Sequence, residues 1–247
     1  MRRLSLCLAT SLFATTALAG GLGDMSEEER AAFHAEVRQY LIDHPEVIVE
    51  AMNVLQGRED AAAAERDLTM LRDNNAAIFE NANDWAGGNP EGDITVVEFM
   101  DYRCGYCRKA HDEVAELISS DGNIRYVIKE FPILGEQSVL SSQFAIAIRL
   151  IHGDDAYKAA HNALITLRGD ATIETLSRLA TDLGHDAGPI IERMKSPEVN
   201  AVIEANHALA STMEINGTPT FVVDKAMVRG YVPLEGMRKI VAGQRDG

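Results

Sequence analysis

The run Ile94-Thr95-Val96-Val97-Glu98-Phe99-Met100, followed three residues later by Cys104-Gly105-Tyr106-Cys107, constrains this chain more than any other stretch. The first seven residues are a β-branched, apolar run of strand length. Past the first cysteine, Cys107, Ala110, His111, Val114, Leu117 and Ile118 recur at three- and four-residue spacing with charges between them, which predicts a helix. The two thiols therefore lie on the first turn of a helix that leaves a sheet. Positions i and i+3 share a face on such a turn, within the several-ångström window a disulfide requires. Two thiols so placed form a small redox switch.

The cysteine count supports that reading. Arg2 and Arg3, the apolar stretch from Leu4 to Leu18 and the small residues Ala17-Leu18-Ala19 read as a secretory signal peptide cut after Ala19. The apolar run falls short of the roughly 20 residues a membrane-spanning helix needs. Cleavage removes Cys7 and leaves Cys104 and Cys107 as the only thiols. A two-residue spacer closes too short a loop to stabilise a fold much through chain entropy, so reactivity explains the pair better than stapling does. Zinc needs about four ligands and only His111 lies nearby, so neither a metal site nor another cofactor is expected. Capture of a soft ion such as Cu(I) by the two thiolates stays open as an alternative. The formal charge of −15, which becomes −17 without Arg2 and Arg3, argues against nucleic acid or anionic lipid as a partner.

Taken in order, Ser26 and Glu29 form a capping box that opens a helix through about Leu41. Pro45 reads as the first residue of a second helix, with Val47, Ile48, Met52 and Leu55 on its apolar side. A third, alanine-rich helix is expected from about Glu59 to Phe79. These helices are thin for an independent core, and the residues alone allow two solutions: docking on the rest of the chain, or pairing with copies of themselves. Asn81 to Asp93, with Gly87-Gly88-Asn89-Pro90, reads as a loop boundary. Ile124 to Phe131 reads as a second strand, so a right-handed parallel crossover is expected. Residues 136–210 carry only helical patterns. Strands return at Thr220–Val223 and Ala226–Arg229, before a last helix from near Pro233 to Gly243. The expected architecture is α/β: a signal peptide at 1–19, a helical extension at 20–84, and a domain at 85–247 with a helical insertion at about 136–210.

Four features in this order resemble the secreted DsbA-like branch of the thioredoxin superfamily. They are Val97 to Cys107, Lys129-Glu130-Phe131-Pro132, the helical insertion, and Gly217-Thr218-Pro219-Thr220-Phe221. Asp43-His44-Pro45-Glu46-Val47 is similar to the N-terminal extension of ScsC-type relatives. The resemblance implies a thioredoxin fold with a helical insertion, preceded by a helical oligomerisation stalk. It also implies a homo-oligomer, for which the trimers formed by some relatives are the example. Disulfide exchange on cysteine-containing client proteins of the periplasm would follow, with a membrane redox partner, either a DsbD-like reductant or a DsbB-like oxidant. Cys-Gly-Tyr-Cys and the Thr before Pro219 look more like the disulfide isomerases DsbC and DsbG than the oxidase DsbA. An isomerase or reductase is therefore expected ahead of a dithiol oxidase.

Cys104, at the helix N-terminus, is the expected nucleophile, because unpaired backbone N–H groups and the helix dipole favour a thiolate there. Cys107, one turn deeper on the apolar stripe, is the expected resolving thiol. Glu98 shares its strand face with Ile94, Val96 and Met100, so it is either a buried acid or a strand-end glutamate in water; the resemblance implies a proton-transfer role. Lys129 either helps to organise that acid or is an ordinary surface lysine. Pro219 is ambiguous alone, since only about one X-Pro bond in twenty is cis. The resemblance implies a cis bond that holds Thr218 against Cys104, with Thr218, Pro219, Gly105 and Tyr106 contacting substrate.

Overall fold

The computed structural model describes residues 25–246, so the signal peptide and Cys7 lie outside the described residues. The chain divides into two compact units, with the break between Asp60 and Ala61.

In the first unit, helix α1 (Glu27–Asp43) opens on the capping box: Glu29 N–H donates to Ser26 Oγ at 3.3 Å, and Ser26 N–H donates to Glu29 Oε2 at 2.8 Å. No residue of α1 is buried. Helix α2 (Glu46–Asp73) follows directly on Pro45 and runs unbroken through Gly57 and the alanine-rich stretch, where two separate helices were expected. Alanine has the highest helix propensity, and one exposed glycine costs only about 1 kcal/mol, so the helix continues.

The second unit is built on a five-stranded sheet in the order β1-β3-β2-β4-β5. β2 (Ile94–Met100) and β3 (Ile124–Glu130) run parallel, joined by helix α4 (Gly105–Asp121). β1 (Trp85–Gly88), β4 (Thr220–Val223) and β5 (Ala226–Arg229) pair antiparallel. Between β3 and β4 lie α5 (Glu136–His152), α6 (Asp154–Ile165), α7 (Ile173–Asp182), α8 (Ala187–Arg193) and α9 (Pro197–Thr212), which form the insertion. α10 (Leu234–Asp246) closes the chain. This is a thioredoxin fold with a helical insertion.

Period-two alternation divides the core between the two faces of the sheet. Ile94, Val96 and Met100 pack with Cys107, Val114, Leu117 and the insertion on one face. Val97, Phe99 and Val127 pack with Leu71, Ile78, Leu209 and Met213 on the other. Phe99 is fully buried, and its replacement by Ala would cost about 3–5 kcal/mol.

Two boundaries differ from expectation. Trp85–Gly88 is an edge strand, not a linker. Gly87 is required there by packing: a β-carbon would come within 2.2 Å of the Trp85 ring. The second unit also starts at Ala61 rather than Trp85, because Leu71, and Ile78 of the short helix α3 (Asn75–Phe79), fill the core beneath the sheet.

Candidate active site

The β2–α4 junction is fixed by a buried acid. Asp101 is fully buried, and its carboxylate accepts backbone N–H groups from Arg103 at 2.7 Å, Ile133 at 2.8 Å and Leu134 at 3.0 Å. Its carbonyl accepts the Cys104 N–H at 3.1 Å. These bonds tie the turn before the cysteines to the segment after β3. Cys104 then takes the N-cap position of α4 with φ −73° and ψ 121°, which leaves its side chain over the unpaired N–H groups of the first helical turn.

The two thiols are free, and their environments differ. Cys104 is 8% exposed and Cys107 is 1% exposed. Cys104 is lowered to about 5, first by the hydrogen bond from the Cys107 thiol, with burial opposing and the Thr218 hydroxyl and the N–H groups of Cys107 and Tyr106 assisting. The same bond to Cys104 pushes Cys107 far up, helped by burial and by the charge of Glu98. In its protonated state Cys104 Sγ donates to the Thr218 carbonyl at 3.2 Å. The Thr218–Pro219 peptide bond is cis. The chain thus brings Cys104, Cys107, Thr218 and Pro219 together, with Gly105 and Tyr106 exposed at the rim.

Glu98 is buried beneath the pair, on the sheet face that carries Val96 and Met100, where it accepts a hydrogen bond from the Tyr126 hydroxyl. Burial raises its carboxyl to about 7, while Tyr126 and the ammonium of Lys158 pull it partly back. A carboxyl near neutrality can take a proton at one step and return it at the next.

Lys129 does not organise Glu98. Glu98 pairs across the sheet with Ile128, and Lys129 with Phe99, so their side chains leave opposite faces. Lys129 is fully buried on the far side, where it pairs with Asp84 and donates to the Ala77 carbonyl at 2.5 Å. Burial lowers its ammonium, and Asp84 counters this. The cation near Glu98 is Lys158 of α6, half-buried, with its Nζ 5.4 Å from the Trp85 ring centroid. Sequence reading gave no signal for it, because Lys158 lies 60 positions from Glu98 within a plainly helical pattern.

A second buried acid lies in the same core. Glu130 accepts from the hydroxyls of Tyr157 at 2.6 Å, Tyr102 at 2.7 Å and Ser142 at 2.7 Å. Burial raises it to about 7. Its partners come from the β2–α4 turn, α5 and α6, so it joins the insertion to the turn that carries Cys104. Among the described residues no group of three or more His, Cys, Asp or Glu could hold a metal ion.

Residues 80–242 match the family described as Thioredoxin, and residues 29–62 match the copper resistance protein ScsC N-terminal domain. A thioredoxin-like oxidoreductase from Silicibacter pomeroyi DSS-3 is 41% identical, over 70% of this chain and 98% of that one, with a TM-score of 0.66. A linker-deletion mutant of Proteus mirabilis ScsC is 19% identical and shares the fold over 92% of this chain and 99% of its own, with a TM-score of 0.68. The Na(+)/H(+) antiporter NhaA 1 of Salinispora arenicola is 28% identical over 165 residues. That match takes in 66% of this chain and 25% of the antiporter, so the chain spans about a quarter of that curated relative's length.

Proposed function

This chain belongs to the thioredoxin family, and we propose that it is an exported disulfide isomerase of the DsbA-like, ScsC type, working in the periplasm on cysteine-containing client proteins. The observation that carries the reading is the inequality of the two thiols, one lowered to about 5 and the other held protonated beside it. The Cys104 thiolate attacks one sulfur of a client disulfide; a Cys104–client bond forms, the client S–S bond breaks, and the second client sulfur leaves as a thiolate. That thiolate attacks another client disulfide, and a client thiolate finally displaces Cys104, so the client is rearranged with no net electron transfer. When the client stalls, Glu98 takes the Cys107 proton. Cys107 then displaces the client from Cys104, which leaves the client reduced by two electrons and the pair oxidised. A membrane reductant of DsbD-like chemistry would restore the dithiol; an oxidase would instead need a DsbB-like oxidant.

The low value for Cys104 supplies the attacking thiolate but serves an oxidase equally, since stabilising the reduced pair makes the oxidised pair a stronger oxidant. The preference for an isomerase rests on the likeness of Cys104-Gly105-Tyr106-Cys107 and of Thr218 before Pro219 to DsbC and DsbG. The first unit supports linked copies: Tyr40 is 53% exposed, Val49 58%, Met52 65% and Leu55 56%, large apolar side chains that a partner helix could cover. A homo-oligomer, such as the trimer of some relatives, would bury these side chains and hold a second active site near a tethered client. Among the described residues no helix is long and apolar enough to cross a membrane.

Refolding of a scrambled multi-disulfide protein tests this with three chains: full length, a chain starting at Ala61, and a Met52→Lys/Leu55→Lys double variant. Loss of isomerisation in the second and third, with disulfide reduction retained, is the expected result. Equal isomerisation by all three would overturn the multiple-site reading. A second reading, Cu(I) capture by Cys104 and Cys107, is favoured by the match of residues 29–62 to a domain named for copper resistance. Titration of the thiols with and without Cu(I) separates the two.

A further inference from the structure

Beside the cysteines lies an aromatic pair that the thiol chemistry leaves unused. Tyr106, within the Cys-Gly-Tyr-Cys turn, is 61% exposed, and its ring stacks on Tyr231 at 6.0 Å between centroids and 24° between planes. Tyr231 is itself held by Glu113 and Lys109, and Glu113 is fixed in turn by a backbone donor. The Tyr231 hydroxyl donates to Glu113 Oε1 at 2.7 Å, Leu234 N–H donates to Glu113 Oε2 at 2.7 Å, and Lys109 Nζ lies 4.2 Å from the Tyr231 ring centroid. Gly230, one residue before Tyr231, donates its N–H to the Pro219 carbonyl at 2.9 Å. A single connected surface therefore runs from Cys104 through Thr218 and Pro219 to Tyr231 and back to Tyr106.

Tyr106 does no work in the core, since most of its ring faces solvent. A large exposed aromatic ring fixed beside a nucleophile is a contact surface waiting for a guest. We propose that Tyr231 and Tyr106 form a shelf that seats an aromatic side chain of an extended, cysteine-bearing client peptide; this rests on the disulfide-exchange reading above. The occupant follows from strand geometry. A peptide lying along the Thr218–Pro219 loop in extended form rises about 3.3 Å per residue and alternates its side chains. The residue two positions from the client cysteine thus faces the same way as that cysteine, roughly 7 Å along. Tyr106 lies two residues past Cys104 on the first turn of α4, an offset of the same order, so the shelf is placed to take that side chain while the client sulfur reaches Cys104. The shelf forms and breaks no covalent bond; it raises the fraction of encounters that place the client sulfur on Cys104.

The test compares full-length protein on three disulfide-bearing probes. Two are peptides that differ only in Phe or Ser two residues from the cysteine, on either side, and the third is oxidised glutathione. An aromatic stack predicts a kcat/KM preference for the Phe peptide of roughly three- to tenfold, expressed in KM. Tyr231→Ala and Tyr106→Ala should each collapse that ratio to within about twofold, whereas Tyr231→Phe, which keeps the ring, should retain it. The ratio, unlike an absolute rate, is insensitive to partial loss of folded protein. A wild-type ratio near one, or a ratio that survives both alanine variants, overturns the shelf. Alanine variants that change the oligomeric state while keeping the ratio would make the pair a contact between copies and also overturn it. No exchange with any probe, glutathione included, would overturn the oxidoreductase reading and the shelf with it.

Discussion

Replacing Cys107 by Ala in the chain that begins after Ala19 isolates the origin of the low Cys104 value. The drop from 9.0 to about 5 corresponds to on the order of 5 kcal/mol of preference for the thiolate. At pH 7 about 99 in 100 Cys104 side chains would be ionised, against a few per cent for a free thiol. Relative to a free thiol this favours the reduced pair by roughly 3 kcal/mol at pH 7, near 60 mV for a two-electron couple. The Cys107 thiol is the largest contributor. One hydrogen bond to a charged group is worth about 1.5–3 kcal/mol, so Cys107→Ala should raise the Cys104 midpoint by roughly one to two pH units. It should stop short of an ordinary thiol, because the Thr218 hydroxyl and the N–H groups of Tyr106 and Cys107 remain. Thiolate ultraviolet absorbance or the rate of alkylation against pH reads this directly. An unchanged midpoint in the variant would refute the assignment of the Cys107 thiol as the chief donor. A wild-type midpoint near 8.5 would refute the whole electrostatic account.

Glu98→Gln should slow release of the mixed disulfide by about a hundredfold or more, the usual worth of a positioned acid–base group, measured by rapid quench of a pre-formed Cys104–peptide adduct. Lys158→Met should move the pH midpoint of that same release step upward, since the ammonium it removes favours ionised Glu98. Asp84→Asn leaves the Lys129 ammonium buried without its charge partner and should cost about 3–5 kcal/mol in denaturant unfolding, with the Glu98-dependent midpoint of release unmoved. Glu130 has a folded value raised from 4.5 to about 7, so its contribution is complete below about pH 4.5 and is lost as pH rises through 7. Glu130→Gln should therefore flatten the fall in melting temperature between pH 5 and 7, measured on the oxidised protein, where Cys104 does not titrate.

The parts of this site that are local in sequence were legible, and those that depend on tertiary placement were not. Ile94–Met100 and the helix from Gly105 announce themselves by their periods, and the Cys-x-x-Cys spacing places both thiols on one turn. Asp101 also adjoins this run, but nothing in its residue type tells that three backbone donors from two segments will meet it. Lys129 was misjudged because its neighbours are strand-like: the pattern shows that one face is buried, while register decides which neighbour that face meets. Trp85–Gly88 was hidden by its glycines, required by the Trp85 ring folded over Gly87 and by the positive φ and close Ile124 carbonyl at Gly88. Lys158 and Tyr231 reach the site from elements far along the chain, and no local signal could have assigned them.

Incubating Cys107→Ala with an oxidising extract and identifying its covalent adducts by mass spectrometry after acid trapping shows whether Cys104 attacks client disulfides. Mixed disulfides between Cys104 and client cysteines are expected, absent when Cys104→Ser is added to the variant. No adduct on Cys104, at a pH where its thiolate is shown to be present, would contradict its role as the nucleophile.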